Sequence, residues 1–387
     1  MTGTSWWLKG ALVLPNRIVE NGLVRVENGI ITGLWDLEAE PGPTPDPATT
    51  LEGDYICPGF IDVHVHGGGG ADFMDGDPEA VATITATHAR YGTTGLLATT
   101  LTAPEEAILQ AIRAVKAAPR RGARVLGFHI EGPFVNPKRA GAQDPRYVRL
   151  PSIPEIDRWL AEGFEGARWQ VTLAPELEGA TAAIRHLAQR GAVVSAGHTD
   201  CTYGQLRAAV AAGLRHITHL YNAMRGLHHR EPGTVGGALS LPGLMVEVIA
   251  DGIHVHPAAL AVAVRARGPG GILLVTDAIR ATGLGDGEYT LGELPVTVRG
   301  GEARLADGTL AGSVLTMDAA VRNMVRLVGI PLWEAVAMAS LNPARELGLE
   351  GTRGSLAVGK VADIAVLDRL LHNRLTLVEG RIVYDGR

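Results

Sequence analysis

The stretch GFIDVHVHGGGG, Gly59 to Gly70, decides how the rest of the chain is read. Ile61, Val63 and Val65 alternate with Asp62, His64 and His66, which is the period of a β-strand. His64 and His66 are two residues apart and share one face of that strand. The run then stops in four glycines. Two readings are open at this point. The imidazoles are core histidines bonded to backbone, or they are metal ligands at the end of a strand.

Similar runs recur along the chain. They are FIDVHVHG, TTGLLATT, RVLGFHIEG, RWQVTLAPE, AVVSAGHTD, HITHLYNA, MVEVIADGIHV and GILLVTDA. Ala-rich stretches of helical character lie between them, such as PEAVATITATHARYG, PEEAILQAIRAVKAA, ATAAIRHLAQRG and YGQLRAAVAAG. Strands alternating with helices predict parallel βα units. Eight such units predict an α/β fold, a closed (β/α)8 TIM barrel, whose active sites sit at the C-terminal ends of the strands. The rival is an open doubly wound sheet. Its phosphate fingerprint G-x-G-x-x-G is absent from HGGGGAD, so the glycines do not argue for a nucleotide.

The first fifty or so residues and the last thirty have another texture. ALVLP, GLVRVENGIITGLWD, ADIAVLD and RLTLVEGRIVYDG are short alternating runs broken by turn residues. Both chain ends together are expected to build a small β-sandwich domain from residues 1–56 and 355–387, leaving 57–354 for the barrel.

A parallel barrel strand is buried on both faces and should be nearly all apolar. Here polar residues gather at one end of successive runs: Asp62, His64 and His66; His129 and Glu131; His198; His216 and His219; Asp251, His254 and His256; Asp277. Buried charges and imidazoles need a partner or a metal. Convergent histidines and carboxylates suit Zn²⁺ or Fe²⁺. His216 and His219 point to opposite faces of a strand, so one of the two is expected to be a ligand. His129 has the parity of Glu131 and is a neighbour or a supporting group. His88, His186 and His372 read as surface or packing residues, and His228 and His229 as exposed loop residues.

The gross numbers fit this picture. The 387 residues are 46% hydrophobic and 20% charged, with a formal net charge of −6. That balance gives no basic footprint for nucleic acid. A local arginine can still bind an anionic small molecule. Two cysteines make no disulfide framework, which suits a reducing compartment. MTGTSWWLKGALVLP lacks the layout of a signal peptide, and no apolar run reaches transmembrane length. A cytoplasmic protein that meets neither membrane nor nucleic acid is the expectation.

The motifs PGFIDVHVHG, GFHIEGPF, SAGHTD, THLYNAM, REPG, ADGIHV, LVTDA and LAGS, in this order, resemble the amidohydrolase superfamily. Within it they resemble the N-acetylglucosamine-6-phosphate deacetylase family. The resemblance extends into GSLAVGKVADIAVLD and covers nearly the whole chain. D-x-H-x-H is shared across the superfamily, whereas THLYNAM with REPG, ADGIHV and LVTDA is specific to the deacetylases.

The resemblance implies a metal-dependent release of acetate from N-acetyl-D-glucosamine 6-phosphate, in amino-sugar catabolism or recycling. It implies a divalent ion, Zn²⁺ first and Fe²⁺ as alternative, on Glu131, His198 and His219. His64 and His66 vary in the family, and their presence implies a second ion with Glu131 bridging. Asp277 is implied as general acid/base and His254 as the group that polarises the acetamide carbonyl, and Asp251 as a substrate-binding residue with it. Asn222, the backbone of Ala223, and Arg230 are implied contacts to the sugar phosphate, with Arg230 reaching across a homodimer interface. Ala142, Leu310, Ala311 and Gly312 are implied pocket residues. Gln143 stands where the family often has a substrate-touching histidine, and this leaves the sugar epimer open.

An N-acetylgalactosamine-6-phosphate deacetylase would share every catalytic residue. A cyclic amidase of the dihydroorotase kind would carry a modified lysine at the end of the fourth strand, where VTLAPE has none. A non-catalytic metal-binding scaffold would have lost groups such as Asp277 and His254.

Overall fold

The computed structural model describes residues 5–387. All eight runs read from the sequence are strands: Phe60–Val65, Thr93–Thr100, Arg124–Glu131, Arg168–Leu173, Val193–Ala196, His216–Ile217, Met245–Ile249 and Ile272–Val275. They follow one another in space in chain order, each parallel to the next. The circle closes just beyond the eighth strand. There Asp277 N–H donates to His64 O and His66 N–H donates to Ala278 O, both at 2.9 Å. The closure therefore stitches together three residues of the candidate site, and the barrel cannot form without bringing them into register.

The helices form because their apolar residues recur on one face and their starts are capped. Glu105–Ala117 buries Ile108, Leu109, Ala111, Ile112, Ala114 and Val115 against the barrel. Pro78–Ala89 starts with proline after Asp77, whose side chain accepts from Glu79 N–H. Tyr203–Ala212 carries a capping box between Thr202 and Gln205. Each arrangement satisfies backbone donors that the first helical turn leaves free. None of the helices among the described residues is long and apolar enough to cross a membrane.

The barrel interior departs from the usual stack of branched apolar residues. His129 Nε2 donates to Thr172 Oγ1 (2.7 Å), and the hydroxyls of Thr172, Thr218 and Ser195 continue the chain. Glu247 and Gln170 are also fully buried here. A buried polar group costs little once it is hydrogen-bonded, so this column is a directional core.

Both chain ends enter one seven-stranded sheet. Its order is Arg381–Asp385, Asn373–Val378, Ile364–Leu367, Thr50–Pro58, Ser5–Leu14, Arg17–Glu27 and Ile30–Asp36. It curls around its own core of Leu8, Leu12, Val24, Ile56, Ile364 and Leu375, among others. The edge strand returns to the other chain end, with Ile31 N–H donating to Lys360 O at 2.9 Å. Gly59 alone separates this sheet from the first barrel strand.

One element has no counterpart among the sequence expectations. A three-stranded antiparallel sheet, Gly287–Leu291, Leu294–Arg299 and Glu302–Arg304, follows the eighth strand. Its apolar side packs with Leu101, Ile279, Ala281 and Ala311. His88 is also better placed than expected: it is fully buried, and Nε2 donates to Gly67 O at 2.8 Å.

Candidate metal centre

The ring nitrogens of His198 and His219 and the carboxylate of Glu131 converge from three strand ends. His198 Nε2 and His219 Nε2 each lie 3.1 Å from Glu131 Oε1 and 3.1 Å from one another. A second group meets beside it. His64 Nε2 and His66 Nε2 are 3.3 Å apart, and His66 Nε2 lies 3.2 Å from both Glu131 Oε2 and Asp277 Oδ1. His64 Nε2 is 3.4 Å from Glu131 Oε1 and 3.5 Å from Asp277 Oδ1. Glu131 thus faces both groups, and Asp277 closes the second, a contact that the sequence reading had assigned to chemistry alone.

These spacings test the fit of a metal. Bonds of about 2.0–2.1 Å in a tetrahedral set hold the ligand atoms roughly 3.4 Å apart. The observed separations of 3.1–3.5 Å match that edge. Buried imidazoles and carboxylates that converge this closely need a shared proton or a cation between them, and four histidines on one glutamate are a donor set that suits a cation. Two of the four remaining ring nitrogens, one in each cluster, support the same orientation. His198 Nδ1 donates to Arg139 O at 3.0 Å, and His64 Nδ1 donates to Glu247 Oε2 at 2.9 Å. In each neutral ring this leaves Nε2 with a free lone pair towards the centre.

The backbone contributes as much as the side chains. His198, His219, Ala223 and Asp277 have positive φ, at 46°, 29°, 48° and 50°. Such conformations cost of order 1–3 kcal/mol each and persist where surrounding structure fixes them. For His198, His219 and Asp277 they aim the side chain back over the mouth of the barrel.

Glu131 is also held by Gln143, whose Nε2 donates to Oε2 at 2.8 Å, while Gln143 Oε1 accepts from Thr102 N–H at 2.7 Å. Gln143 lines the cleft, but its amide is committed to this carboxylate. His254 Nδ1 donates to Asp251 Oδ2 at 2.7 Å, and Asp251 Oδ1 accepts from the N–H groups of Ile253 and His254. Burial pushes the His254 pKa down, but the Asp251 and Asp277 carboxylates more than reverse this and hold it above its ordinary value. In the interior, burial pushes the His129 pKa well below its ordinary value.

The centre opens into a cleft of about 470 Å³, and Ala142, Asn222, Ala223, His254, Leu310 and Gly312 line it. Lys138, Arg139 and Arg304 line it too and were missed in the sequence. Arg304 comes from the unexpected three-stranded sheet, so nothing in the strand pattern marked it. Ala311 is fully buried behind the wall in the apolar cluster of that sheet, and Asp251 sits behind His254. Arg230 is not in the cleft of its own chain. It lies on an exposed loop with its guanidinium 2.8 Å from His229.

The Amidohydrolase family profile matches residues 55–384. An N-acetylgalactosamine-6-phosphate deacetylase of Escherichia coli O157:H7 is 43% identical, over 93% of this chain and 94% of its own. An N-acetylglucosamine-6-phosphate deacetylase of Bacillus subtilis (strain 168) is 40% identical, over 97% of this chain and 96% of its own. The structure of an Asp-to-Ala mutant of the N-acetyl-D-glucosamine-6-phosphate deacetylase of Mycobacterium smegmatis, in complex with N-acetyl-D-glucosamine-6-phosphate, superposes with a TM-score of 0.91 at 36% identity. It covers 98% of this chain and 100% of its own. The family implies a divalent metal, which the two facing clusters are built to receive. The chain belongs to the amidohydrolase family, and the relatives it matches over nearly its full length are deacetylases of N-acetylated hexosamine 6-phosphates.

Proposed function

We propose that the chain hydrolyses the acetamide of N-acetyl-D-glucosamine 6-phosphate to acetate and D-glucosamine 6-phosphate, in amino-sugar catabolism or recycling. One observation carries the reading: a carboxylate, Glu131, reaches two imidazole clusters, and Asp277 Oδ1 lies 3.2–3.5 Å from the two imidazoles of the second. The named activities of the relatives support the same substrate class.

Glu131, His198 and His219 would hold one ion, Zn²⁺ or else Fe²⁺, and His64, His66 and Glu131 a second. A bound ion of this kind lowers the pKa of a water from 15.7 to about 7 and polarises a carbonyl. Asp277 takes the proton from the attacking water and returns it to the leaving nitrogen, a service worth roughly 10²–10⁴-fold. His254, its Nδ1 occupied by Asp251, presents Nε2 to the acetamide oxygen and stabilises the charge that develops there. Asn222, the Ala223 backbone and the partner subunit's Arg230 hold the phosphate, with Lys138 and Arg304 as cations in the same cleft. Ala142, Gln143, Leu310, Ala311 and Gly312 shape the sugar pocket. Binding at the remote phosphate orients the acetamide and excludes sugars that lack it.

This reading makes the protein a cytoplasmic homodimer and divides the chain into the barrel, 57–354, and the unit formed by 1–56 and 355–387. A second reading is favoured by the 43% identity to the galactosamine enzyme: the same chemistry on the other epimer. Acetate release from both hexosamine phosphates, and ring opening of dihydroorotate, each with and without chelator, test all of this. Chelator-sensitive release from the glucosamine substrate is expected. Ring opening of dihydroorotate with no acetate from either sugar, or no reaction at all, overturns the reading.

A further inference from the structure

Glu247 lies in the middle of the seventh barrel strand and has no exposed surface. Its two oxygens accept four hydrogen bonds. Oε2 takes His64 Nδ1 at 2.9 Å and the backbone N–H of His219 at 3.1 Å. Oε1 takes Gln170 Nε2 at 2.7 Å and His216 Nε2 at 3.0 Å. His216 is pinned on its other side as well, with Nδ1 3.3 Å from Glu346 Oε1.

Donor logic fixes the protons. An ionised carboxylate only accepts, so His216, with a carboxylate at each nitrogen, must donate from both and is an imidazolium. The charge of Glu247 is thereby balanced by His216, so His64 need not serve as its counter-ion. A neutral His64 that donates from Nδ1 has its lone pair on Nε2, the atom that faces His66, Glu131 and Asp277. One oxygen of Glu247 therefore sets the tautomer of a second-cluster ligand and also holds the backbone of His219, a ligand in the first cluster.

We infer that Glu247, charge-balanced by His216, is the positioning residue that makes the second cluster competent to hold an ion and ties its geometry to the first. This rests on the two-cluster metal reading above. Glu247→Gln nearly preserves the shape, but it puts an amide N–H where an acceptor was and invites His64 to reverse its tautomer. Partners of this kind typically change metal affinity by about 10–100-fold.

The test is Zn²⁺ stoichiometry and chelator competition on the parent and on Glu247→Gln, with circular dichroism and Tm beside them. The expected result is two ions in the parent. In the variant the second ion is weakened roughly 10–100-fold and the first, which loses only a backbone tether at His219, clearly less. A second-ion affinity within about twofold of the parent overturns the inference, because that is below the range expected for a ligand-orienting partner. So does equal weakening of both ions with a fallen Tm, which is what a merely structural role would give. A parent that takes up one ion also overturns it. In that last case acetate release by the parent would leave the proposed function standing, so the two failures are distinguishable. If Glu247→Gln does not fold, ¹⁵N-imidazole NMR of the Zn²⁺-loaded parent decides. His64 protonated at Nδ1 with His216 doubly protonated supports the inference, and any other pattern at either ring overturns it.

Discussion

The two histidine clusters are a few ångströms apart and share Glu131, yet they are held in different ways. In the first cluster, His198 and His219 come from separate strand ends and owe their aim to left-handed backbone at φ 46° and 29°. In the second, His64 lies in the first barrel strand and His66 one residue past its end, and their aim depends on neighbours: Glu247 at His64 and Asp277 at both. The first is built by main-chain conformation and the second by side-chain support. A main chain locked by the surrounding fold resists single substitutions, whereas side-chain support can be removed by one. Under the proposed two-ion reading, the second site is therefore the adjustable one.

The sharpest way to break this contrast is to remove a ligand from the first cluster. His198→Ala is expected to lose its ion and all measurable acetate release together, read by metal analysis beside the assay. Asp277→Asn comes next. It should keep the first ion and lower kcat by roughly 10²–10⁴-fold, and turnover near that of the parent would remove Asp277 from its role.

The double variant His64→Ala/His66→Ala is expected to lose the second ion while acetate release stays within about tenfold of the parent, a barrier change near 1.4 kcal/mol. A collapse as deep as that of His198→Ala would show that the clusters do not differ.

The smallest effect concerns stability. His88 anchors the backbone just after the second cluster through Gly67 O. Burial pushes its pKa down to about 4, with the Gly67 bond opposing only in part. Between pH ~6.5 and ~4 the unfolded chain binds a proton at His88 that the folded chain does not, so this group lowers stability as pH falls through that window. A Tm series over that range should slope less steeply in His88→Gln than in the parent.

Much of this was legible in the sequence because the signals are periodic or local. The eight alternating runs are the eight barrel strands, and the parity of His64 and His66 put both on the side of the site. The histidine and carboxylate at the end of each run could be read because a barrel gathers strand ends at one mouth. Glu247 could not be read this way. In MVEVIADGIHV it is one polar residue in an apolar strand, and its meaning lies in His64, His216 and Gln170, each distant in sequence. Gln143 is marked as a substrate contact by the motif around it, and nothing in the sequence signals that its amide also bonds Glu131 and Thr102. Arg304 was hidden in a hairpin whose strands are too short to stand out.

The left-handed residues at the barrel mouth also bear on how such a protein can be improved. A search for stabilising substitutions that scores the fold alone would put glycine, or asparagine, at 198, 219, 223 and 277, because those residues relax positive φ at little cost. Three of the four changes would delete a ligand-type side chain. Thermostability and chemistry compete here at the same few backbone torsions, so a hardier variant must draw its gains from elsewhere, such as the surface of the helices or the sheet of the chain ends.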